Sequence, residues 1–595
     1  MFVGCVALAT SCDLTENVQV KADKSMIFGS KSGLELYSNS FYKALPTLKN
    51  GFMQDKMCDV GAVSNTDTFI KQGAYNTETA TSWSWGALKN INYFIDGCND
   101  PKYCTVDDNT RDNYLGIARW FRAWFYYDKL TTYGEVPWFP HDIQSYQNDV
   151  MYKDRDSRDV IIRNLIADLD FAYEHIQATS STGSSTLTRW AAAALKSRVC
   201  LFEAAYRRYH NLTELEITPE ELYREAAKAA KLVIDNSGCS LNTATGKKGA
   251  YRDLFYNETP LTQEVILAVC ANEKSGIFGE QNWWFNARSY GLCWSLVRSF
   301  VHTYLKLDGT PFTDAADYAV KSFTEEMEGR DLRLEQTVRG RNFLWDGKTA
   351  VADIKNLSLT GYQVIKYTLD ESKYDGGAKN INSIPLIRYA EVLLNYAEAQ
   401  AELGVITDSE WALTVGALRK RAGITGGTET LPTTVDGYLQ RTFYPDVTSP
   451  VLLEIRRERA IELVAEGMRF DDLRRWKCGS LMETLPWSGI HIPGLEQPVD
   501  VNGDGVDDYY FTEGEVTAAP AAYRNIAIRV NQDGVGLYAE ANPVSGYDLV
   551  YKTGAGDRYW YPDGRQYLYP IPAKVIRDYK NAGYTISQNP YWDNE

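Results

Sequence analysis

The apolar positions of the chain alternate between helical periodicity and long stretches that have none. Residues 111–133, RDNYLGIARWFRAWFYYDKLTTY, place apolar and aromatic side chains at helical spacing and run into the Gly and Pro stop GEVPWFP, which predicts a helix with a defined end. The period returns over 159–176 and, after the Ser/Thr/Gly linker ATSSTGSSTLT, over 189–208 and 221–235. Further helices are predicted at GALKNINYFIDG, at 387–404 with Gly404 as C-cap, and at 451–467, stopped by Gly467. Helix pairs with short connections predict a helical-repeat layout, although no clean repeat of roughly 34 residues is visible. From about 240 to 380, and again after about 485, the period dissolves into turn residues, short apolar runs and scattered rings. These stretches are read as long irregular insertions with a few short strands.

One stretch fits neither period. QNWWFNARSYGLCW, residues 281–294, holds three Trp, a Phe and a Tyr among Asn, Gln, Arg and Gly. Trp283, Trp284 and Phe285 are consecutive, so at least one ring faces away from any core that the others join.

Composition sharpens this. The 595 residues are 44% hydrophobic and 24% charged, which suits one large domain or a few intermingled subdomains. The aromatic share is 13%, with 40 Tyr and 15 Trp against 21 Phe; the surplus lies in rings with a polar handle, which favour half-wet surfaces. A formal net charge of −16 argues against a nucleic acid or an acidic membrane as partner. No run of 18 apolar residues exists to span a membrane as a helix. The ten cysteines form no CxxC pair, only Cys98 and Cys104 are close enough in sequence for a local bridge, and the five histidines are scattered. No HExxH, GxSxG, phosphate-loop or dinucleotide motif is present.

The first twelve residues, MFVGCVALATSC, are small and apolar and end at Cys12. They look like the end of a bacterial lipoprotein signal with Cys12 as the acylated residue, although no Lys or Arg precedes the run.

Several segments together resemble the SusD/RagB family of outer-membrane lipoproteins. They are ARWFRAWFYYDKLTTYGEVPWF, RDLRLEQTV, TGYQVIKY, RYAEVLLNYAEAQAELG, ERAIELVAEGMRFDDLRRW and the C-terminal YLYPIPAKVI with QNPYW. The resemblance implies a mainly α fold in which tetratricopeptide-like helix pairs carry a more irregular ligand-binding part. Residues 13–240 would form the N-terminal helical part and 241–595 the C-terminal part, with insertions at 241–380 and 485–570 and helices over 387–476. It further implies a surface-exposed, lipid-anchored protein that captures nutrients, usually glycans, and passes them to a SusC-like TonB-dependent transporter. The role is binding rather than bond cleavage; some members bind peptides or other nutrients instead.

A glycan site needs flat rings for stacking and amide or charged groups for directed hydrogen bonds. Two stretches supply both: Asn282, Trp283, Trp284, Arg288 and Tyr290, and, in DTFIKQGAYNTETATSWSW, Asp67, Tyr75, Asn76 and Trp83. Family ligand contacts come from the loop before the early helix and from the insertion ahead of the helix that here reads CWSLVRSFVHTYLKLDG. Trp85 and Trp294, each leading into a helix, are assigned to the core. In DVNGDGVDD, Asp500, Asn502, Asp504, Asp508 and the Val506 carbonyl have the spacing of a short calcium loop; a solvated acidic turn is the alternative. Glu458, Glu462 and Glu466 recur every fourth residue, and arginines from the next helix, Arg469, Arg474 and Arg475, are expected to neutralise them in a structural ion network. A glycosidase would instead need two carboxyls flanking the sugar at a defined separation.

Overall fold

The computed structural model describes residues 24–49, 53–144, 146–286, 293–553 and 556–593. Cys12, Arg288 and Tyr290 lie outside the described residues. The main helices are α1 (Gly86–Cys98), α2 (Asp108–Tyr133), α3 (Arg158–His175), α4 (Arg189–Tyr209), α5 (Pro219–Asn236), α6 (Tyr389–Glu402), α7 (Pro450–Glu462), α8 (Arg469–Arg475) and α9 (Ala573–Asn581). Local chemistry starts them: Asp107, Ser157 and Thr188 each accept a first-turn amide, and Thr218 with Glu221 forms a reciprocal capping box.

Packed helix pairs build the scaffold. α2 packs on α3, α3 on α4, and α4 on α5, while α6 lies against both α5 and α7. Helices from the two halves of the chain therefore pack against one another. α4 is buried almost all round, because its run WAAAAL lets neighbouring helices approach closely on every side.

Strands are short. β1 (Val265–Val269) pairs antiparallel with β2 (Ile384–Arg388), and β3 (Ser488–Ile492), β4 (Leu537–Ala541) and β5 (Tyr547–Tyr551) form an antiparallel sheet with β5 in the centre. No described helix is long and apolar enough to cross a membrane. Cys98 and Cys104 are both free thiols.

Two predicted helices are corrected. CWSLVRSFVHTYLKLDG forms a two-residue strand, Ser295–Leu296, paired with Gly61–Ala62, and a single turn, Arg298–Val301. Trp294 is core, 3% exposed; it lies so close to Gly61 that a Cβ there would sit 2.4 Å from the indole nitrogen. The second correction is α7, which ends at Glu462 rather than 467, because the chain turns through Ala465 and Gly467, both at positive φ.

That turn rearranges the expected ion network. Glu462 is fully buried and accepts from Arg388 at 2.6 Å, Arg333 at 2.7 Å and Arg421. Glu458 accepts from Arg333 and Arg419, and Glu466, off the helix, from Arg388 and Lys366 at 2.7 Å each. The arginines expected from the following helix go elsewhere: Arg469 to Asp59, Arg474 to Asp471 and Arg475 to Glu398. The network is structural, but its cations come from the 241–380 insertion (Arg333 and Lys366), from Arg388 at the end of β2, and from Arg419 and Arg421. It ties β1 and β2 to the scaffold through Glu264 and Arg388.

Candidate ligand cleft

In the 67–85 segment most polar side chains are spent on shaping the backbone. Asp67 accepts from Phe69 N at 2.9 Å and pairs with Lys56 at 2.5 Å. Asn76 accepts from the amides of Glu78 and Thr79, both at 3.0 Å, which closes a turn. Tyr75 sets its ring against Phe69 and Tyr569 at 5.1 and 5.8 Å; burial, with Asp67 nearby, pushes its phenol up to about 12. Trp83 continues past this cluster and is half-buried, edge-to-face with Trp85 at 5.3 Å and with Tyr133 at 4.9 Å.

Beyond Trp83 opens a cleft of about 800 Å³. One wall is Trp83, Trp85, Gly86 and Leu88, at the start of α1, whose first turn has no side-chain cap. Trp85 was assigned to the core; it does touch Phe125 and Phe139, at 5.6 and 5.2 Å, but it is half-buried and faces the cleft. Phe139 and His141 form the floor, fixed by buried Asn92, which donates to both of their carbonyls at 2.8 and 3.1 Å. The opposite wall is Tyr152 together with Lys574, Val575, Arg577 and Tyr579 of α9, and Tyr152 meets Tyr579 edge-on at 5.1 Å.

The rim is charged and paired. Arg577 binds Glu78 at 2.5 Å, joining the two walls, Lys574 binds Asp578 at 2.6 Å, and Lys89 binds Asp142 at 2.9 Å. The cleft thus offers five rings, with ammonium, guanidinium and carboxylate groups at its edge. Apolar walls with a few polar groups at the edge are the usual make-up of a small-molecule site.

The 281–286 residues lie elsewhere. They form a six-residue helix. Asn282, expected at a ligand, is fully buried: its amide donates to Leu369 O at 2.8 Å and to Asp375 at 3.2 Å, and its carbonyl accepts from Leu369 N and Asn380. It holds the insertion together. Trp283 and Trp284 are half-buried and edge-to-face at 4.8 Å, and Trp284 Nε1 donates to Lys49 O at 3.1 Å. Neither lines the cleft, so the two expected halves of the platform do not share one cavity.

Sequence reasoning missed Phe139, Tyr152, Tyr579, Lys574 and Arg577. The available signal was the aromatic and proline-rich GEVPWFP and the apolar–polar pattern of PAKVIRDYKNAGY, which had served only as a helix stop and a family marker.

In the 500–508 loop, Asp500 accepts from the amides of Gly503 and Gly505 at 2.7 and 2.8 Å, Asn502 from Asp504, Asp504 from Val506, and Asp508 from Val501. Burial, reinforced by Asp500 and Asp504, raises the Asp508 carboxyl above its ordinary range. The donor chemistry suits calcium. Its geometry is not a cage: among the described residues no three His, Cys, Asp or Glu side chains are grouped to hold a metal ion.

Comparison with known proteins places this architecture. The SusD family model matches residues 263–592, more than half of the chain. The chain belongs to the SusD family. A SusD-like protein, P38, from Formosa agariphila is 25% identical over 378 residues, which cover 61% of this SusD-family chain and 66% of that protein, just under two thirds of its length. A SusD-like protein from Bacteroides fragilis superposes with a TM-score of 0.65 at 20% identity, covering 96% of this chain and 98% of its own. A second protein from that organism, described as a SusD-like carbohydrate-binding protein, gives 0.67 at 18% identity, covering 94% and 99%. These likenesses establish the SusD-family fold over nearly the whole chain.

Proposed function

We propose that this SusD-family chain is a cell-surface glycan-binding lipoprotein, anchored in the outer membrane through Cys12, that captures oligosaccharide and delivers it to a SusC-like TonB-dependent transporter. The observation that carries the binding step is the cleft itself: Trp83, Trp85, Phe139, Tyr152 and Tyr579 line one open cavity whose edge holds Lys89, Arg577 and Glu78. Sugars present apolar C–H faces edged by hydroxyls, and this cleft matches rings to the faces and charged groups to the hydroxyls. The carbohydrate-binding description of one structural neighbour supports the same reading. Trp283 and Trp284 would be reached only by a ligand extending beyond the cleft.

The reading is of a binder rather than an enzyme. A glycosidase acid needs a carboxyl with a raised pKa. The hydrogen bond and charge of Arg577 instead hold Glu78, on the cleft rim, below its ordinary range. Within the proposal, calcium at 500–508 would be structural, drawing the carboxylates together and relieving their mutual repulsion.

The test is calorimetry of a soluble form, beginning after Cys12, against a panel of oligosaccharides. The reading expects binding that Trp83→Ala and Tyr152→Ala each weaken at least tenfold, about 1.4 kcal/mol, with the ligand recovered uncleaved. Binding that ignores both substitutions removes the site, and binding of peptides alone moves the chain to the other nutrient class. Delivery is tested separately, by co-purification of the full lipoprotein with the transporter from outer membranes.

A further inference from the structure

A second cavity lies behind the cleft. It measures about 730 Å³ and is lined by α2 residues Trp124, Tyr127, Asp128 and Thr131, by Asp471 and Arg474 of α8, and by Tyr569. The α2 residues stand at i, i+3, i+4 and i+7, one helical face. The 81–88 segment is the partition: Ser82 and Ala87 line this cavity, whereas Thr81, Trp83, Trp85, Gly86 and Leu88 line the cleft. Ser82, Ala87 and Asp128 are exposed, so the cavity opens to solvent.

Its wall combines anchored rings with polar groups, one of them buried and unpartnered. Tyr127, Tyr569 and Trp124 are half-buried in the cavity wall, and each ring is anchored. Tyr127 packs edge-on against Phe202 at 5.9 Å, Tyr569 stacks on Phe69 at 3.9 Å, and Trp124 stacks on Trp120 at 5.4 Å. Arg474, 3% exposed, donates to Thr131 O and Asp471 but leaves Nε unpartnered. Burial raises both phenols, and the Asp471 carboxylate adds to the rise in each. A buried donor such as Arg474 Nε ordinarily finds a partner, and a volume of this size can hold a small ligand.

We infer that this cavity is a second binding site, for a single neutral sugar unit or comparable polyol, distinct from the oligosaccharide cleft. Its hydroxyls would accept from the two phenols and the indole N–H and donate to Asp471, while the Trp124 ring and the face of Phe470 cover its apolar side.

The test uses saturation-transfer NMR with D-glucose, D-galactose, D-mannose and D-xylose on the soluble form. The expected result is millimolar binding of at least one sugar. Tyr127→Phe with Tyr569→Phe should weaken it at least tenfold, and Trp83→Ala should change it less than twofold. Trp124→Phe, which keeps a ring and removes the N–H, provides an independent variant should the double one melt early. The inference is overturned if no sugar binds, which means the cavity holds water only. It is also overturned if binding survives the Tyr and Trp124 variants and is lost in Trp83→Ala, which assigns the sugars to the cleft. Oligosaccharide affinity measured on the same variants judges the cleft independently.

Discussion

Glu462→Gln should destabilise the protein without touching either cavity. The carboxylate is fully buried and accepts from three guanidiniums, Arg388, Arg421 and Arg333. Burial alone would raise its pKa, but the three cations outweigh burial and hold it well below the ordinary range. Glutamine keeps the volume and one acceptor but removes the charge, leaving three buried cations to share fewer carboxylates. Breaking a buried pair of this kind costs about 3–5 kcal/mol. For a 595-residue chain the unfolding entropy is about 1.2 kcal/mol per kelvin, so a cooperative melt should fall by about 3 °C. The assay is calorimetry of wild type and variant at pH 7, with urea unfolding as a check on cooperativity. The pH dependence has a definite sign. A carboxyl with a depressed folded pKa contributes stability that is present above its unfolded value near 4.5 and lost as pH falls through the folded value. The difference between the two proteins should therefore persist from pH 7 to 5 and shrink on further acidification. A Tm drop below about 1 °C at pH 7, or a difference that grows in acid, would refute the account of Glu462 as the centre of the network.

Asp55 has the opposite sign. Burial raises its carboxyl to about 7 against a bond from Gly467 N, so its favourable contribution is complete below about pH 4 and fades as pH rises through 7. Asp55→Asn should leave the melt unchanged at pH 4 and raise it at pH 8, and a fall at pH 8 would reverse the assignment. If the 500–508 loop binds calcium, millimolar calcium should raise the wild-type Tm in chelator-treated protein and leave Asp504→Asn with Asp508→Asn unmoved; equal behaviour of the two proteins removes the calcium site. Trp284→Ala, which loses the bond to Lys49 O and a half-buried ring, should cost about 2–4 kcal/mol of stability while leaving the affinity of short oligosaccharides for the cleft within twofold, as read by calorimetry on the same sample.

The scaffold was legible because helices report themselves locally: α2 to α5 lie within a few residues of the periodic stretches, and their caps are adjacent in sequence. The residues after Trp294 misled because an apolar run with branched and aromatic side chains fits a strand, a turn or a helix equally well, and pairing with Gly61–Ala62 decides among them. Trp83 could be recognised from its aperiodic polar neighbours. Its facing wall could not: Tyr152 and Tyr579 are far along the chain, and no local period connects them to Trp83. Asn282 shows the same limit in reverse. An Asn beside two tryptophans reads as a surface amide, but its partners, 87 to 98 residues away, make it a core tie.

The cleft lies between two walls that are held in different ways. One wall is the start of α1, braced on α2 through Trp85 and Phe125; the other is α9, a short helix joined to the first wall at the rim by Glu78 and Arg577. Residues 78 and 577 are both exposed at this bridge, so the pair is weak in water and can yield to a ligand hydroxyl at little cost. The strong charge pairs lie elsewhere, buried around Glu462, where they lock the insertions to the helices. The rings of the walls are packed against neighbouring rings, whereas the rim pairs are held only by exposed charges. The proposed capture and onward release of a ligand would need that combination, because preorganised rings limit the ordering cost of binding and a solvated rim adds no deep well to escape.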